Sequence, residues 1–248
     1  MTQAHQPRTY RNRLSPGPMA SFRVVVKETD LQIHADRSMG EEARDLVLEH
    51  RGYLESYIET HPEFVSTLEP WTLNEPAPEI VRAMIDAGRK SGVGPMAAVA
   101  GAIAERVGLG ILRRSRNVVV ENGGDIFMKT RWPMTVGIFA GTSPLSLRVG
   151  LQIEPGKMPM GVCTSSGTVG HSLSKGNADA VGVVARSCAL ADAAATAIGN
   201  RVRSRGDISS AVDFGKQISG VEGVVIILGQ DIGLWGQLEL VPVNPADP

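Results

Sequence analysis

The stretch Asp179–Ala197, DAVGVVARSCALADAAATA, places a short β-type run directly before an alanine-rich helix. The run is rich in valine, which is typical of strands, and the helix is predicted over about residues 188–198. Other β-type runs with glycine-rich turns between them lie on both sides of this passage. They are NVVVE, DIFMK, MTVGIFA and LSLRVGLQI before it, and GVVIILG and IGLWGQLELV after it.

The first half of the chain is mostly helical by the same criteria. FRVVV and LQIHA, residues 22–26 and 31–35, predict a β-hairpin. Ser38 and Glu41 have capping-box spacing at the start of the first predicted helix, which the His61-Pro62 pair ends. Further helices are predicted over residues 79–90, 95–108 and 209–218. Helices early and strands late indicate an α+β fold, in which helices pack on a largely antiparallel sheet.

The composition narrows the classes of partner. A formal net charge of -1 and an aromatic content of 4% argue against nucleic acid and against an anionic membrane surface. The two cysteines, Cys163 and Cys188, are too few for the disulfide framework of a small secreted protein. No run of about 18 apolar residues occurs, so no membrane span is predicted. We therefore expect a small-molecule or protein partner.

The N-terminal residues predict a tail. Residues 1–20 are polar and proline-rich and lack the apolar region of a secretory signal, so we expect them to be flexible. Residues 21–248 are predicted to form a single α+β domain of a cytoplasmic protein. The sequence does not indicate an oligomeric state.

The segment ENGGD follows the predicted strand NVVV. Gly123 and Gly124 permit positive φ angles and a close approach of a ligand to the backbone. Glu121, Asn122 and Asp125 add hydrogen-bond acceptors. Because Asn-Gly-Gly-Asp is also ordinary hairpin-turn chemistry, the residues alone favour a turn.

The segment GVCTSSGTVGHSLSKG, residues 161–176, is crowded with polar side chains. Backbone amides of such a loop form a nest for phosphate oxygens, and a lysine adds positive charge. The pattern is neither a Walker A loop nor a nucleophile elbow. A histidine, a cysteine and a lysine together favour a functional role over a flexible connection. The candidate residues are Cys163, Thr164, Ser165, Ser166, Gly167, His171 and Lys175.

The alanine-rich helix carries a third candidate pair. Asp192 and Thr196 are four residues apart, which places their oxygens on one helix face. A carboxylate and a hydroxyl suit a hard cation such as Mg²⁺. The structural alternative is a first-turn helix charge at Asp192 and a hydroxyl at Thr196 bonded back to the backbone. The two interpretations are equally supported by these residues.

Taken in order, the three segments resemble the ApbE family of Mg²⁺-dependent FAD:protein FMN transferases. Residues 122–125 correspond to the family's N-x-G-G-[ND] turn with one residue fewer, and Thr164–Gly167 with His171 correspond to its T-S-G loop and histidine with one serine more. Residues 192–196 carry the aspartate and threonine of its a-D-a-x-x-T-a helix. A smaller ApbE-related branch has nearly the same CTSSGTVGHSLSKG and GPMAAVAG segments. Resemblance to that branch covers the chain from about residue 22, whereas resemblance to ApbE proper covers chiefly residues 118–200.

The resemblance implies an ApbE-like fold with a site for FAD or FMN and Mg²⁺. Asp192 and Thr196 would be metal ligands, and His171 would lie near the reacting phosphoryl group. The Asn122–Asp125 turn and the Thr164–Gly167 loop, with Lys175 nearby, would contact the nucleotide. FMN would pass from FAD to a serine or threonine hydroxyl of a protein acceptor, with AMP leaving.

Two alternatives stay open. His171 is followed by Ser-Leu-Ser-Lys-Gly without the family's Asp-Pro, and its flavin-clasping N-terminal residues have no clear counterpart, which suits a non-catalytic module that binds flavin or nucleotide. The other alternative is a protein of sulfur metabolism, in which Cys163 near Lys175 and His171 acts as a nucleophile of lowered pKa. A buried free cysteine more often serves packing alone.

Overall fold

The described residues, 17–165 and 176–243, form eleven strands and six α-helices in this computed structural model. The strands are β1 Ala20–Val26, β2 Thr29–Ala35, β3 Val118–Asn122, β4 Asp125–Lys129, β5 Met134–Gly137, β6 Val149–Ile153, β7 Met160–Ser165, β8 Ala180–Ala185, β9 Val221–Leu228, β10 Asp231–Gly236 and β11 Glu239–Pro242. The helices are α1 Gly40–Thr60, α2 Glu63–Ser66, α3 Glu79–Ser91, α4 Val99–Ile111, α5 Cys188–Gly199 and α6 Ile208–Gln217.

Two antiparallel sheets organise the strands. A central sheet of eight strands has the order β1-β2-β3-β4-β7-β8-β9-β10, and a small sheet of three strands has the order β11-β6-β5. Every pair of neighbouring strands in both sheets is antiparallel. The expected α+β fold with a largely antiparallel sheet is therefore confirmed.

The middle strands of the central sheet are buried on both faces, with helices on one side and the small sheet on the other. Because side chains alternate between faces along a strand, each strand contributes to two cores. In β3, Val118 and Val120 belong to the helix-side core, whereas Val119 belongs to the core toward the small sheet. In β4, Phe127 faces the helices and Met128 faces the small sheet. The architecture thus has three layers.

Most predicted elements are present close to their expected bounds. The β1–β2 hairpin pairs Ala20 with Ala35, and α1 ends one residue before His61-Pro62. The helix predicted from Pro95 begins as a 3₁₀ turn over Pro95–Ala98 and continues as α4 beyond Gly108 to Ile111. No helix in the described part of the chain is both long and apolar enough to cross a membrane.

Three local expectations are wrong. The Ser38–Glu41 capping box does not form, because Met39 is the N-cap of α1 and no side chain caps that end. The run IGLWGQLELV divides into β10 and β11, which join different sheets. The segment from Gly161 onward, expected as a loop, begins inside β7, which pairs with both β4 and β8.

Candidate functional site

The turn between β3 and β4 is a two-residue hairpin connection. Asn122 pairs with Asp125, and Gly123 and Gly124 have φ angles of 70° and 106°. Such angles require glycine in a tight hairpin turn. The Gly124 N–H donates to Glu121 Oε1 at 2.9 Å, and Asn122 Nδ2 donates to a backbone carbonyl, that of Ala100, at 3.0 Å. The turn accounts for both glycines and for the polar side chains on its β3 side.

Asp125 and Cys163 face each other across neighbouring strands. They form one register pair between β4 and β7, which brings opposed Cβ atoms to about 5 Å. Cys163 belongs to the helix-side core, and Asp125 is on the same face of β4 as Phe127. The Thr164 N–H donates to the Gly124 carbonyl at 3.1 Å and extends the ladder past this pair.

Helix α5 lies closely over this part of the sheet. A side-chain carbon added at Gly161 would collide with the backbone of Cys188, at the first turn of α5. One further turn of α5 spans about 6 Å. The two residues from Gly161 to Cys163 span about 6.6 Å of β7. Contact at Gly161 and Cys188 therefore places Asp192 next to Cys163.

Helices α4 and α5 cap each other. Asp192 Oδ2 accepts a hydrogen bond of 3.0 Å from the N–H of Gly101, in the first turn of α4. Glu105 Oε2 accepts from the N–H groups of Cys188 at 2.7 Å and Ala189 at 3.3 Å, and from Ser187 Oγ at 3.0 Å. Carboxylates at helix starts satisfy free amide donors and complement the helix dipole.

This reciprocal capping corrects the structural alternative for Asp192, which caps α4 rather than charging the first turn of its own helix. It also shows why the α4 sequence is small. A side-chain carbon at Gly101 would collide with the Cys188 carbonyl oxygen, so glycine permits the close approach of α4 to α5. The role of Glu105 is missed by sequence reasoning, although Glu105 stands among alanines and glycines in GAIAERVG.

Asp125, Cys163 and Asp192 form a buried group that we call the acid–thiol centre. One ligand atom from each residue lies within 4.8 Å of the other two, an arrangement that no other set of His, Cys, Asp and Glu residues shows in the described ranges. The residues are 7%, 2% and 7% exposed, respectively. Cys163 Sγ lies 4.0 Å from Asp192 Oδ1.

Burial controls the ionisation of the centre. Loss of solvent raises the pKa of Asp125 to about 7, an effect that Glu121 reinforces and hydrogen bonding with the Cys163 thiol opposes. Burial and the negative charge of Asp125 raise the pKa of Asp192 well above its usual range, against the Gly101 hydrogen bond. Burial and both carboxylates likewise raise the pKa of the Cys163 thiol. The described surroundings of Cys163 therefore disfavour its thiolate, whereas His171 and Lys175, on which the expectation of a lowered thiol pKa depends, lie outside the described residues.

The other predicted site residues are only partly brought together. Thr196 is 7% exposed and lies one turn beyond Asp192 on α5. Thr164 and Ser165 end β7 beside the β3–β4 turn, not in a loop. The remaining candidates lie outside the described residues: Ser166, Gly167, His171 and Lys175.

The family model described as AbpE bacteria matches residues 11–240. The chain belongs to this AbpE family. A UPF0280 protein of Methanocaldococcus jannaschii is 40% identical to this AbpE chain over 229 residues, which cover 90% of this chain and 93% of that one. A UPF0280 protein of Methanocella arvoryzae is 44% identical over 214 residues, covering 86% of this chain and 87% of the relative.

Solved structures share the fold of the AbpE chain. The apo form of the Pseudomonas stutzeri flavinyl transferase ApbE aligns with a TM-score of 0.55 at 15% identity, covering 88% of this chain and 94% of that one. The flavin transferase ApbE from Vibrio cholerae aligns with a TM-score of 0.57 at 12% identity, covering 91% and 97%. The expected ApbE-like fold is confirmed, and these two similarities establish the fold alone.

Proposed function

We propose that this AbpE protein binds a flavin nucleotide, FAD or FMN, with a divalent cation, and transfers FMN from FAD to a hydroxyl group of a protein acceptor. The observation that carries the proposal is the acid–thiol centre, in which Asp192 stands on the helix that resembles the metal-binding helix of ApbE. Carboxylates whose pKa values are raised by burial and by a neighbouring charge are concentrated at functional sites.

The oxygen donors of the centre suit a divalent cation. Asp125 and Asp192 each offer a carboxylate oxygen, Thr196 lies one turn beyond Asp192 on α5, and oxygen ligands are those that Mg²⁺ prefers. Asp125 Oδ1 is buried and has no hydrogen-bond partner among the described residues. A cation near this atom would satisfy it. Mg²⁺, which the resemblance implies, fits these oxygens but does not use the Cys163 thiol.

The chain around the centre supports a nucleotide site there. The described chain stops at Ser165, which ends β7 next to the β3–β4 turn. The described chain resumes at Gly176, which contacts Gly199 at the end of α5. Ser165 and Gly176 therefore both adjoin elements that carry the centre. We propose that Thr164 to Gly167, with Lys175, contact the phosphates of the nucleotide.

In the proposed transfer, the oxygen of the acceptor hydroxyl bonds to the phosphorus of the FMN moiety. The bond from that phosphorus to the AMP oxygen breaks, AMP leaves, and the hydroxyl proton passes to a base, for which we propose His171. A bound cation supplies charge neutralisation at the pyrophosphate. The protein's own residues hold and orient the reactants, which accounts for most of the rate enhancement in phosphoryl transfer.

The test is binding of FAD to the purified full-length chain with Mg²⁺ and again with EDTA, followed by an assay of AMP release with candidate acceptor peptides containing serine or threonine. We expect saturable, Mg²⁺-dependent binding that Asp192→Asn weakens at least about tenfold. Asp213→Asn is the matched control, because Asp213 is exposed on α6 and pairs only with Lys216 among the described residues. The control should bind FAD as the unmodified chain does.

The outcomes separate the candidate functions. Binding with AMP release supports the transferase. Saturable binding without AMP release favours the non-catalytic flavin or nucleotide module. If neither FAD nor FMN binds under any condition, the flavin proposal is wrong and the ApbE fold serves another ligand.

A further inference from the structure

The acid–thiol centre combines two kinds of ligand. Asp125 and Asp192 provide carboxylate oxygens, and Cys163 provides sulfur. The three side chains come from β4, α5 and β7, so three separate elements converge on one point. Sequence-distant residues rarely bring three ionisable groups together in a core, because burial of each one costs free energy.

The buried carboxyl of Asp125 is an independent sign of a ligand. The Asp125 side chain is only 7% exposed, and its buried Oδ1 atom has no hydrogen-bond partner among the described residues. A buried polar atom left without a partner destabilises the folded protein, because it has lost its hydrogen bonds to water. The atom belongs to the side chain that faces Cys163 across the strand pair. An ion between the two side chains would satisfy it.

No positive side chain in the described ranges offsets the charges of this centre. The ion pairs found there involve neither Asp125 nor Asp192. The Asp192 carboxylate is held by the Gly101 N–H through Oδ2, which leaves Oδ1 on the side of Cys163. Two carboxyl groups and a thiol therefore converge here, and no positive side chain of the described ranges forms an ion pair with them.

We propose that Asp125, Cys163 and Asp192 bind a borderline-soft divalent cation of the Zn²⁺ class in preference to Mg²⁺. The inference deepens the proposed function by naming the ion, and it rests on that function only in placing a nucleotide beside the ion. Thiolate sulfur is a preferred ligand of Zn²⁺, whereas Mg²⁺ takes oxygen ligands and keeps its waters. Divalent ions late in the first transition row also bind mixed donors more tightly.

The ligand atoms of the centre all lie within 4.8 Å of one another, so each pair needs to approach by at most about 1.5 Å to hold such an ion. Tetrahedral Zn²⁺ with bonds of about 2.0 Å to oxygen and 2.3 Å to sulfur separates its ligand atoms by roughly 3.3–3.5 Å. Cys163 Sγ and Asp192 Oδ1 are 4.0 Å apart, so they need to approach by about 0.5 Å. Three protein ligands leave the fourth position open, as in catalytic zinc sites, and a phosphate oxygen suits it.

Binding of the ion removes the proton from the Cys163 thiol. On ligation the S–H bond of Cys163 breaks, a metal–sulfur bond forms, and the thiol proton passes to solvent together with any proton that the Asp125 and Asp192 carboxyl groups hold. No electron is transferred. The ion therefore stabilises a thiolate that the free protein, with its neighbouring carboxylates, disfavours.

The experiment is a titration of the chelator-stripped, full-length chain with Co²⁺ alone. Co²⁺ takes tetrahedral zinc sites and gives a near-ultraviolet charge-transfer band only when a thiolate binds it. We expect this band in the unmodified chain and in Cys188→Ser, and its loss in Cys163→Ser. Cys188 is the matched control, because it is the other buried free cysteine and is not part of the centre.

Competition then ranks the ions. Equimolar Zn²⁺ should displace Co²⁺, a 100-fold excess of Mg²⁺ should not, and Cys163→Ser should lower Zn²⁺ affinity at least about 100-fold. Absence of the band in the unmodified chain, its loss in Cys188→Ser alone, or displacement by Mg²⁺ overturns the proposal. The unmodified chain decides thiolate ligation even where a variant does not fold.

A parallel FAD titration separates this inference from the proposed function. If the cobalt–thiolate band is present but FAD does not bind, whichever ion is added, the metal assignment stands and the flavin function fails. If FAD binds with Mg²⁺ and no band appears, the flavin function stands and the assignment of a thiolate-bound ion fails.

Discussion

The two faces of the central sheet use the same strands for different purposes. Toward the small sheet, β3, β4 and β7 contribute Val119, Met128 and Val162, which are fully buried and apolar. Toward the helices, β4 and β7 contribute Asp125 and Cys163, which meet an aspartate of α5. Both faces gain stability from apolar burial. The second face also buries ionisable groups, which stability alone does not explain.

This difference predicts which substitutions change stability alone and which also change metal binding. A change toward the small sheet alters a core without touching the acid–thiol centre. A change toward the helices alters the alignment of α5 over β7, which positions Asp192. Stability and metal affinity should therefore change together on one face and separately on the other.

The largest effect is expected for Gly161→Ala. The new methyl group would collide with the Cys188 backbone, which a side-chain rotation cannot relieve. We expect the free energy of unfolding to fall by more than about 4 kcal/mol. Urea denaturation measures it, with Gly156→Ala as the control, because a carbon added at Gly156 meets no atom within 4 Å. Unchanged stability in Gly161→Ala would show that α5 can move away from the sheet.

The segment around Gly161 has a secondary structure that the local sequence does not predict. The valine-rich runs and the period of the early helices predict most of the elements, because local pattern determines them. Residues 160–165 are different, because a glycine and hydroxyl residues have turn chemistry locally. Pairing with β4 and β8 makes this segment a strand, and such tertiary context overrides propensity.

The candidate site was predictable to a similar depth. The sequence indicates Asp125, Cys163 and Asp192 as candidates, but in three separate roles. Their convergence depends on the β4–β7 register and on the approach of α5, neither of which is visible in the sequence. A strand over residues 160–165 would indicate this convergence, because side chains alternate between the two faces along a strand and Cys163 then lies on the helix-facing side.

On the opposite face, Met128→Ala should lower stability without changing metal binding. Met128 is fully buried in the core toward the small sheet, so its truncation leaves a cavity worth about 3 kcal/mol. Zn²⁺ affinity at a temperature where the variant is folded should stay within about twofold. Leu48→Ala, at a side chain that is 47% exposed, is the control for stability. A parallel loss of Zn²⁺ affinity would break the separation between the two faces.

Asp125→Asn should change how the stability of the metal-free protein depends on pH. The pKa of Asp125 is raised from 3.8 to about 7, so the folded state holds a proton that the unfolded state has lost between these values. Stability from this group is therefore present at low pH and lost as the pH rises toward 7. The change amounts to about 2 kcal/mol between roughly pH 5 and pH 7.

In Asp125→Asn, the free energy of unfolding should fall less as the pH rises from about 5 to 7. A smaller fall should remain, because the pKa of Asp192 is raised as well. Urea denaturation in EDTA across this pH range measures the difference. Asp45→Asn, at an exposed position on α1, controls for the loss of a carboxylate. An identical pH profile in Asp125→Asn and the unmodified chain would mean that the Asp125 carboxyl is not proton-bound in the folded centre.

The smallest effect is expected for Glu105→Gln, which tests the link between the helix pair and the centre. The amide oxygen of glutamine can still accept hydrogen bonds at the start of α5, but the negative charge opposite the helix dipole is lost, at a cost of about 1 kcal/mol. Glu59→Gln, at an exposed position on α1, should be neutral. Because Glu105 fixes the first turn of α5, whose next turn carries Asp192, Zn²⁺ affinity should fall together with thermal stability. A loss of stability with unchanged Zn²⁺ affinity would show that contact at Gly161 alone positions Asp192.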